Sequence, residues 1–479
     1  MCCSMAASFV PAARSWRWNW RNRVTRCITR SLAAPAGPPR EAHAMTAAAP
    51  VFQDSSRPAF IEFAADRREP DAIARLRRAA FDRFETLGLP TRQQEAWRLT
   101  DLSALKAMTF QRPADALIDA GALPTLGLPA HRLAFVNGRF APGLSHLREM
   151  PDRALIASLD QALLAYPQWI EPYLDRLPGL AQHPFTALNT AFWEDGAFVH
   201  LSRGTVVETP IHLIFHAAGG DSTVYPRLLL VLDEGAQATV VVEYQGTGRY
   251  LNAPVTEARL GDGAALHYHQ IQQESPQAFH LGGIRLQQGR NSEANLHLLS
   301  VGGQLARTDL EALLDGEGAS CTLNGLTLAR DQQFSDVHVR VDHAQPHGSS
   351  QQRFKSVLDG KARTVFDGMI HVRPHAQKTD ARQVSRNLLL SRQAQAHSNP
   401  RLEILADDVK CGHGSTTGFL DPDAEFYLRA RGIPAAQARA ILVHAFANDS
   451  LNSIRLTPLR ERLARLLAAD LALDIMEGE

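Results

Sequence analysis

Leu228-Leu-Leu-Val-Leu-Asp-Glu-Gly235 runs into Ala238-Thr-Val-Val-Val-Glu-Tyr244, and this unit decides the fold. It is an apolar strand, a tight Asp/Gly turn and a second alternating strand. The same theme recurs. Glu257-Ala-Arg-Leu-Gly-Asp-Gly263 runs into Ala265-Leu-His-Tyr-His-Gln-Ile271, and Ile284-Arg-Leu-Gln-Gln-Gly289 into Ala294-Asn-Leu-His-Leu-Leu-Ser300. Leu310 to Gly318 leads into Ser320-Cys-Thr-Leu-Asn-Gly-Leu326, and Ser356-Val-Leu-Asp-Gly360 into Arg363-Thr-Val-Phe-Asp-Gly-Met-Ile-His-Val372. Early turns return about every 26–28 residues, inside the window of roughly 20–50 that marks a stacked repeat. One unit cannot bury its apolar side alone, so it stacks on the next and the core becomes a continuous column. Two to three short strands per turn fit a β-helix. A sandwich turns about every 8–12 residues without the longer period.

The fold class expected is therefore mainly β: a right-handed parallel β-helix (β-solenoid) flanked by N-terminal and C-terminal α-helical regions. The boundaries read as a leader over 1–44, an N-terminal helical domain over 45–195, the β-helix over 196–420 and a C-terminal helical domain over 421–479. An open column end would pair with any strand that reached it. The flanking helical regions are expected to cover the ends, leaving lateral edges for a partner's sheet.

Within the N-terminal region, Ile73, Leu76, Ala80, Phe84 and Leu87 recur at helical spacing, with Pro70 and Asp71 at the start and Gly88 and Pro90 at the stop. Trp97 reads as an anchor, with an Arg–Glu surface pair around it and a Thr100/Asp101 cap for a short helix. Leu133-Ala-Phe-Val-Asn-Gly138 reads as the end of a hairpin strand. Residues 155–193 read as helices broken by prolines. In the C-terminal region a helix opening after Pro434 is expected to carry Ala438, Ile441, Leu442, Ala445 and Phe446 on one side. A further helix runs from Pro458 with Leu459, Leu463, Leu466, Leu467 and Leu471. Packing of these stripes on the column is the default, and docking of a partner the alternative.

The chemistry concentrates in Asp407-Asp-Val-Lys-Cys-Gly-His-Gly-Ser-Thr-Thr-Gly418. If this is a strand, Cys411 and His413 point to the same face, expected to be an outward one on the rod. Thiolate and imidazole both suit iron, zinc or copper, yet two ligands do not close a four-coordinate site. The rest must come from elsewhere. Asp407 and Asp408, as neighbours on a strand, would face opposite sides. Cys321 reads as a packed, inert thiol. The histidines His267, His269, His338, His343, His347, His371 and His375 read as solvated or hydrogen-bonded rung positions. The polar run from Ala376 to Ala381, with Gln383 and Asn387, reads as inward polar ladders.

Composition narrows the classes. Across 479 residues the formal net charge is zero, which argues against a dedicated nucleic-acid binder. No apolar run approaches the roughly 20 residues of a membrane span. Five cysteines in this length make no disulfide framework, so a reducing, cytoplasmic setting is expected. Residues 1–40 carry seven arginines and no acid. An organelle transit peptide and an upstream mis-start with Met45 as the true start compete there, and we favour the second.

From Arg353 to Phe446 the sequence resembles the SufB/SufD family of iron–sulfur cluster assembly proteins. The resemblance rests on Phe354-Lys-Ser-Val-Leu-Asp-Gly-Lys-Ala-Arg363, Ala376-Gln-Lys-Thr-Asp-Ala381, Asn387-Leu-Leu-Leu-Ser391 and Pro400-Arg-Leu-Glu-Ile404. It continues in Ala406-Asp-Asp-Val-Lys-Cys-Gly-His-Gly414 and Phe426-Tyr-Leu-Arg-Ala-Arg-Gly-Ile433. A weaker match lies at Trp97-Arg98-Leu99-Thr100, where the family usually has Tyr in the third place. The His413 motif and the Trp97 segment favour the D member, SufD, over the B member. Residues 110–340 match mainly in rhythm.

The resemblance implies a non-catalytic scaffold, not an enzyme. Family members pair side by side, SufB with SufD, and each binds a SufC-like ATPase through its C-terminal helices. A SufB cysteine and a SufD histidine near the pair interface are implicated in forming a nascent, transient iron–sulfur cluster. The histidine maps onto His413 and the nearby cysteine onto Cys411. The ATPase-docking segment maps onto roughly Phe426 to Phe446, with Phe426, Tyr427, Leu428, Ile441, Leu442 and Phe446 as its candidate contacts. This chain has no Gly-x-x-x-x-Gly-Lys-Ser/Thr loop of its own. No cofactor is expected to be held tightly by the chain alone, and a homodimer of the lone chain stays open. Two other classes compete: a β-helix carbohydrate-active enzyme, which needs paired carboxylates in a groove, and a mononuclear metal protein built on the histidines.

Overall fold

The computed structural model describes residues 52–177, 179 and 183–470. The leader and Leu471 lie outside them. Each turn of the central column gives one strand to each of two sheets, one of ten strands and one of eleven. The result is a β-solenoid of about 8 turns with helical regions at both termini.

The register shows why the sequence repeats. Leu228, Thr256, Ile284, Leu310, Val339, Gly368 and Pro400 stand one above another in one sheet. In the facing sheet the equivalent column is Ile211, Val240, Tyr268, Leu296, Leu323, Gln352, Gln383 and His413. Pairing is parallel, so every side chain stacks on its counterpart one turn later. Stacked partners sit 28 residues apart in early turns, as in Arg249–Asp221, and 30 to 32 in the last, as in Lys378–Asp408, Gln383–Gln352 and Asn399–Asp367. The two-residue alternation selects the inner face. Thr364, Phe366, Gly368, Ile370 and Val372 are buried, while Asp367, Met369 and His371 are not. Inside, Phe354 and Phe366 meet at 4.8 Å between ring centroids. Gly325, the partner of Phe354 one rung back, makes room: a Cβ there would lie 2.2 Å from that ring. Cys321 is buried in the same core, and burial pushes its thiol up to about 12, as an inert role requires.

The N-terminal region covers the outer face of the second sheet. The helix Asp71–Leu87 has the expected bounds, packed with Phe52–Ala65 and Pro184–Phe192 through Phe60, Phe81 and Phe192. Trp97 is buried beneath the Arg307 guanidinium, 3.7 Å from its ring centroid. Asp101 accepts from the Ser103 N–H at 2.9 Å, one position ahead of Leu102, which holds the N-cap place of the helix Ser103–Lys106. The Arg–Glu surface pair is not found among the described residues: Arg92 Nε donates instead to the Arg98 carbonyl at 3.1 Å. Residues 155–193 are not helical throughout, because they begin in the strand Ala154–Ser158.

The ends of the column differ from expectation. At the N-terminal end strands, not helices, satisfy the edges. His131–Val136 adds in parallel to Val206–Ala218 and folds back through Asn137 and Gly138, at φ 51 and 80, into Arg139–Phe140. Ala154–Ser158 adds antiparallel to Gly196–Leu201. At the other end nothing among the described residues pairs beyond the last rung, Gln395–Ile404 and Lys410–Phe419.

The C-terminal helices lie along a flank instead. Ala435–Leu451 and Thr457–Asp470 press Val443, Ala447, Leu451, Leu459, Leu463 and Leu467 against Val241, Ile271, Leu299, Leu326 and Val357 on the outer face of the first sheet. The buried face of Ala435–Leu451 is Ala438, Val443, Ala447 and Leu451, not the expected stripe, because Ile441 and Ala445 turn to solvent. Lys355 ties this helix down, donating to the Phe446 carbonyl at 2.9 Å and pairing with Asp449 at 2.6 Å.

Under these helices His269 and His297 stack at 5.0 Å. Burial lowers their rings to about 3 and about 4; at His269 the neighbouring rings of His297 and His267 add to it, and at His297 that of His267. His267 beside them is lowered too, by burial and then by Arg455. Below about pH 6.5 the unfolded rings bind protons that the folded rings refuse. The stability they confer is thus full above that pH and falls as pH drops toward 4. Hydrogen exchange in 435–470, corrected for intrinsic rates, should therefore be faster at pH 5 than at pH 7. A loss on the order of 1–2 kcal/mol per ring is expected, and His269→Gln with His297→Gln should flatten it.

Candidate functional site at the open end

Lys410–Phe419 is the last strand of the first sheet, so Cys411 and His413 do stand side by side on one face. Asp407 and Asp408 lie before it in a bend, not in the strand. Asp408 is spent locally, ion-paired with Lys378 while its N–H donates to Gln377 at 2.9 Å.

The shared face is the inner one. Cys411 stacks on Ala381 and His413 on Gln383, both fully buried. Placement on outward positions of the rod is thereby corrected. They are still reachable, because no further rung among the described residues covers them: Cys411 is half-buried and His413 exposed. Cys411 leans on the apolar end of the core, with Ile370, Val372, Ala381 and Leu402. That burial raises its thiol pKa, and the Asp380 charge adds to it. A bound metal would have to offset this to take the thiolate. Gly412 and Gly414 leave the outer side of the strand bare, with nothing within 4 Å of where a Cβ would be.

The rim of this end is apolar. Ile404, Leu405 and Phe419 are 39, 52 and 60% exposed. The adjoining helix Pro422–Ala430, capped by Asp421, buries no residue, and its Phe426 and Tyr427 are 71 and 57% exposed. Ile441 is exposed as well, whereas Leu428, Leu442 and Phe446 are half-buried. Phe446 also lies under Lys355, 4.8 Å from its ring centroid. Sequence reading missed Ile404, Leu405 and Phe419. Their signal was an apolar residue at the end of each of the last two strands, where the rhythm stops.

Apart from His269 and His297, stacked beneath the C-terminal helices, the other histidines are dispersed. His371 meets Asp342 at 3.1 Å, His343 meets Ser350 at 2.9 Å and His338 meets Asp336 at 3.0 Å. Among the described residues no group of three or more His, Cys, Asp and Glu side chains converges to hold a metal ion. Cys411 and His413 place one thiol and one imidazole side by side on an open strand edge.

Comparison with known proteins agrees with this architecture. Residues 215–446 match the model "SUF system FeS cluster assembly, SufBD core domain", and residues 62–213 match "SufBD protein N-terminal region". An iron–sulfur cluster assembly SufBD family protein of Synechocystis is 34% identical over 84% of this chain and 91% of its own length. The iron–sulfur cluster assembly protein SufD of Escherichia coli is 30% identical over 79% of this chain and 89% of its own. SufD of Bacillus subtilis is 24% identical over 85% and 95%. The chain belongs to the SufBD family of iron–sulfur cluster assembly proteins.

Proposed function

We propose that this chain is a SufD-type, non-catalytic scaffold subunit of a cytoplasmic SUF complex. Its open column end pairs with a SufB-type subunit, and a nascent iron–sulfur cluster forms between them as cargo. The observation that carries this is the uncovered last rung, bearing one thiol and one imidazole and rimmed by Ile404, Leu405 and Phe419. Unpaired backbone edges and exposed apolar side chains favour a partner's strands there. A site completed by a second subunit opens when that subunit moves, which suits a cluster that must be handed on. His413 supplies a nitrogen ligand from the exposed edge. Cys411 supplies a sulfur once metal displaces its proton.

The second part of the proposal concerns the ATPase. Phe426, Tyr427 and Ile441, with the partly buried Leu428, Leu442 and Phe446, form the surface for a SufC-type subunit. An exposed helix that buries none of its own residues supports this reading. No helix among the described residues is long and apolar enough to cross a membrane.

His413→Ala should leave the chain folded, with stability within about 0.5 kcal/mol of the parent, because the side chain is exposed. Reconstitution of the three-subunit complex with iron and sulfide should then yield little cluster by absorbance and iron content. Full cluster yield from that variant would remove His413 from the site. Separately, the double variant Phe426→Asp, Tyr427→Asp should lose co-purification of the ATPase while retaining the SufB-type subunit. Undiminished ATPase recovery would refute the docking surface.

A further inference from the structure

The column that ends in His413 changes character along its length. It is apolar through Leu296 and Leu323, then reads Gln352, Gln383 and His413. Both glutamines are buried, at 1 and 0% exposure. Gln383 Nε2 donates to Gln352 Oε1 at 2.7 Å. That bond fixes the amide and leaves Gln383 Oε1 as a buried acceptor with no partner. Such an atom is costly unless something donates to it.

The fold reserves space for this amide. Gly368, on the opposite sheet, has no side chain, and a Cβ there would lie 2.1 Å from Gln383 Nε2. The next side chain along the column is His413, one strand spacing away, about 4.8 Å. It is exposed and makes no hydrogen bond or ion pair among the described residues. His413 and Gln383 Oε1 are not bonded as they stand, so a change of His413 rotamer is what a bond from a ring N–H to that oxygen, one rung below, would require. A neutral imidazole has one N–H and one lone pair, so the bond made by the N–H decides which nitrogen is free for metal.

We propose that Gln383 is the positioning residue of His413. Its Oε1 accepts the ring N–H, holds one tautomer, and turns the other ring nitrogen toward the open end. Gln352 acts one step further back, by holding the Gln383 amide. The inference deepens the scaffold reading and rests on it for the identity of the cargo. The tautomer itself is independent of that reading.

The test uses the full-length, metal-free chain labelled with 15N-histidine, with the His413 signals identified by their loss in His413→Gln. The parent should show one dominant His413 tautomer, Gln383→Met a mixture, and Gln383→Glu, which keeps an acceptor, the parental pattern. Unchanged His343 and His371 signals report an intact fold. Gln352→Met provides a second variant, retaining Gln383 but freeing its amide, and should weaken the preference. An identical His413 tautomer ratio in the parent and both methionine variants overturns the proposal. In the assembled complex Gln383→Met should lower iron affinity about 10–100-fold, as loss of an outer partner does. If the tautomer shifts but neither Gln383→Met nor His413→Gln alters cluster loading, the positioning stands and the scaffold-site reading fails.

Discussion

Parallel, in-register pairing of one turn on the next is the constraint on which this structure depends. Every strand of the column offers N–H and C=O groups on both sides. Interior rungs satisfy each other; the first and last cannot. The first is completed from within the chain, by His131–Val136 on one sheet and Ala154–Ser158 on the other. The last is left without a strand from the described residues. An otherwise well-paired column thus concentrates its unsatisfied backbone, apolar rim and the Cys411 and His413 side chains at one place.

The helices explain why that end stays open. Those of the N-terminal region are committed to the outer face of one sheet, where Phe60, Phe81 and Phe192 join Phe198, Leu229 and Phe279 in one cluster. Those of the C-terminal region are committed to the outer face of the other, fixed by Leu459, Leu463 and Leu467 and by the Lys355–Asp449 pair. Both flanks are therefore covered, and the apolar side chains under them are spent on packing. Buried ions there are matched: Arg227 with Glu257, and Arg307 with Asp309 and Asp336. Removing one member of such a pair would strand a buried charge. Cys411 and His413, by contrast, are spent on nothing comparable.

Much of this was legible in the residues. The recurring strand–turn–strand unit, with Gly235, Gly263 and Gly289 closing its turns, specified stacking because no single unit could bury its own apolar face. The spacing of Cys411 and His413 specified a common face, since a strand repeats every two residues. Which face it was could not be read locally. Glycines on both sides of His413 remove the apolar contrast that marks the inside of a strand, and only the register with Ala381 and Gln383 decides it. The same limit affected Ala435–Leu451. Its apolar residues surround the helix, so the buried set Val443, Ala447 and Leu451 is chosen by the sheet beneath rather than by periodicity. The strand additions at the N-terminal end depend on pairing over about 80 residues for His131–Val136, as in Arg132↔His212, which short-range pattern does not carry.

As proposed, another subunit completes the open rung. Amide hydrogen exchange over Gln395–Ile404 and Lys410–Phe419 measures it most directly, comparing the size-fractionated monomer with the complex containing a SufB-type subunit. Completion by a partner predicts rapid exchange at the outer edge of Lys410–Phe419 in the monomer and strong protection in the complex. Equal exchange in the two states, with protection confined to the C-terminal helices, would contradict it.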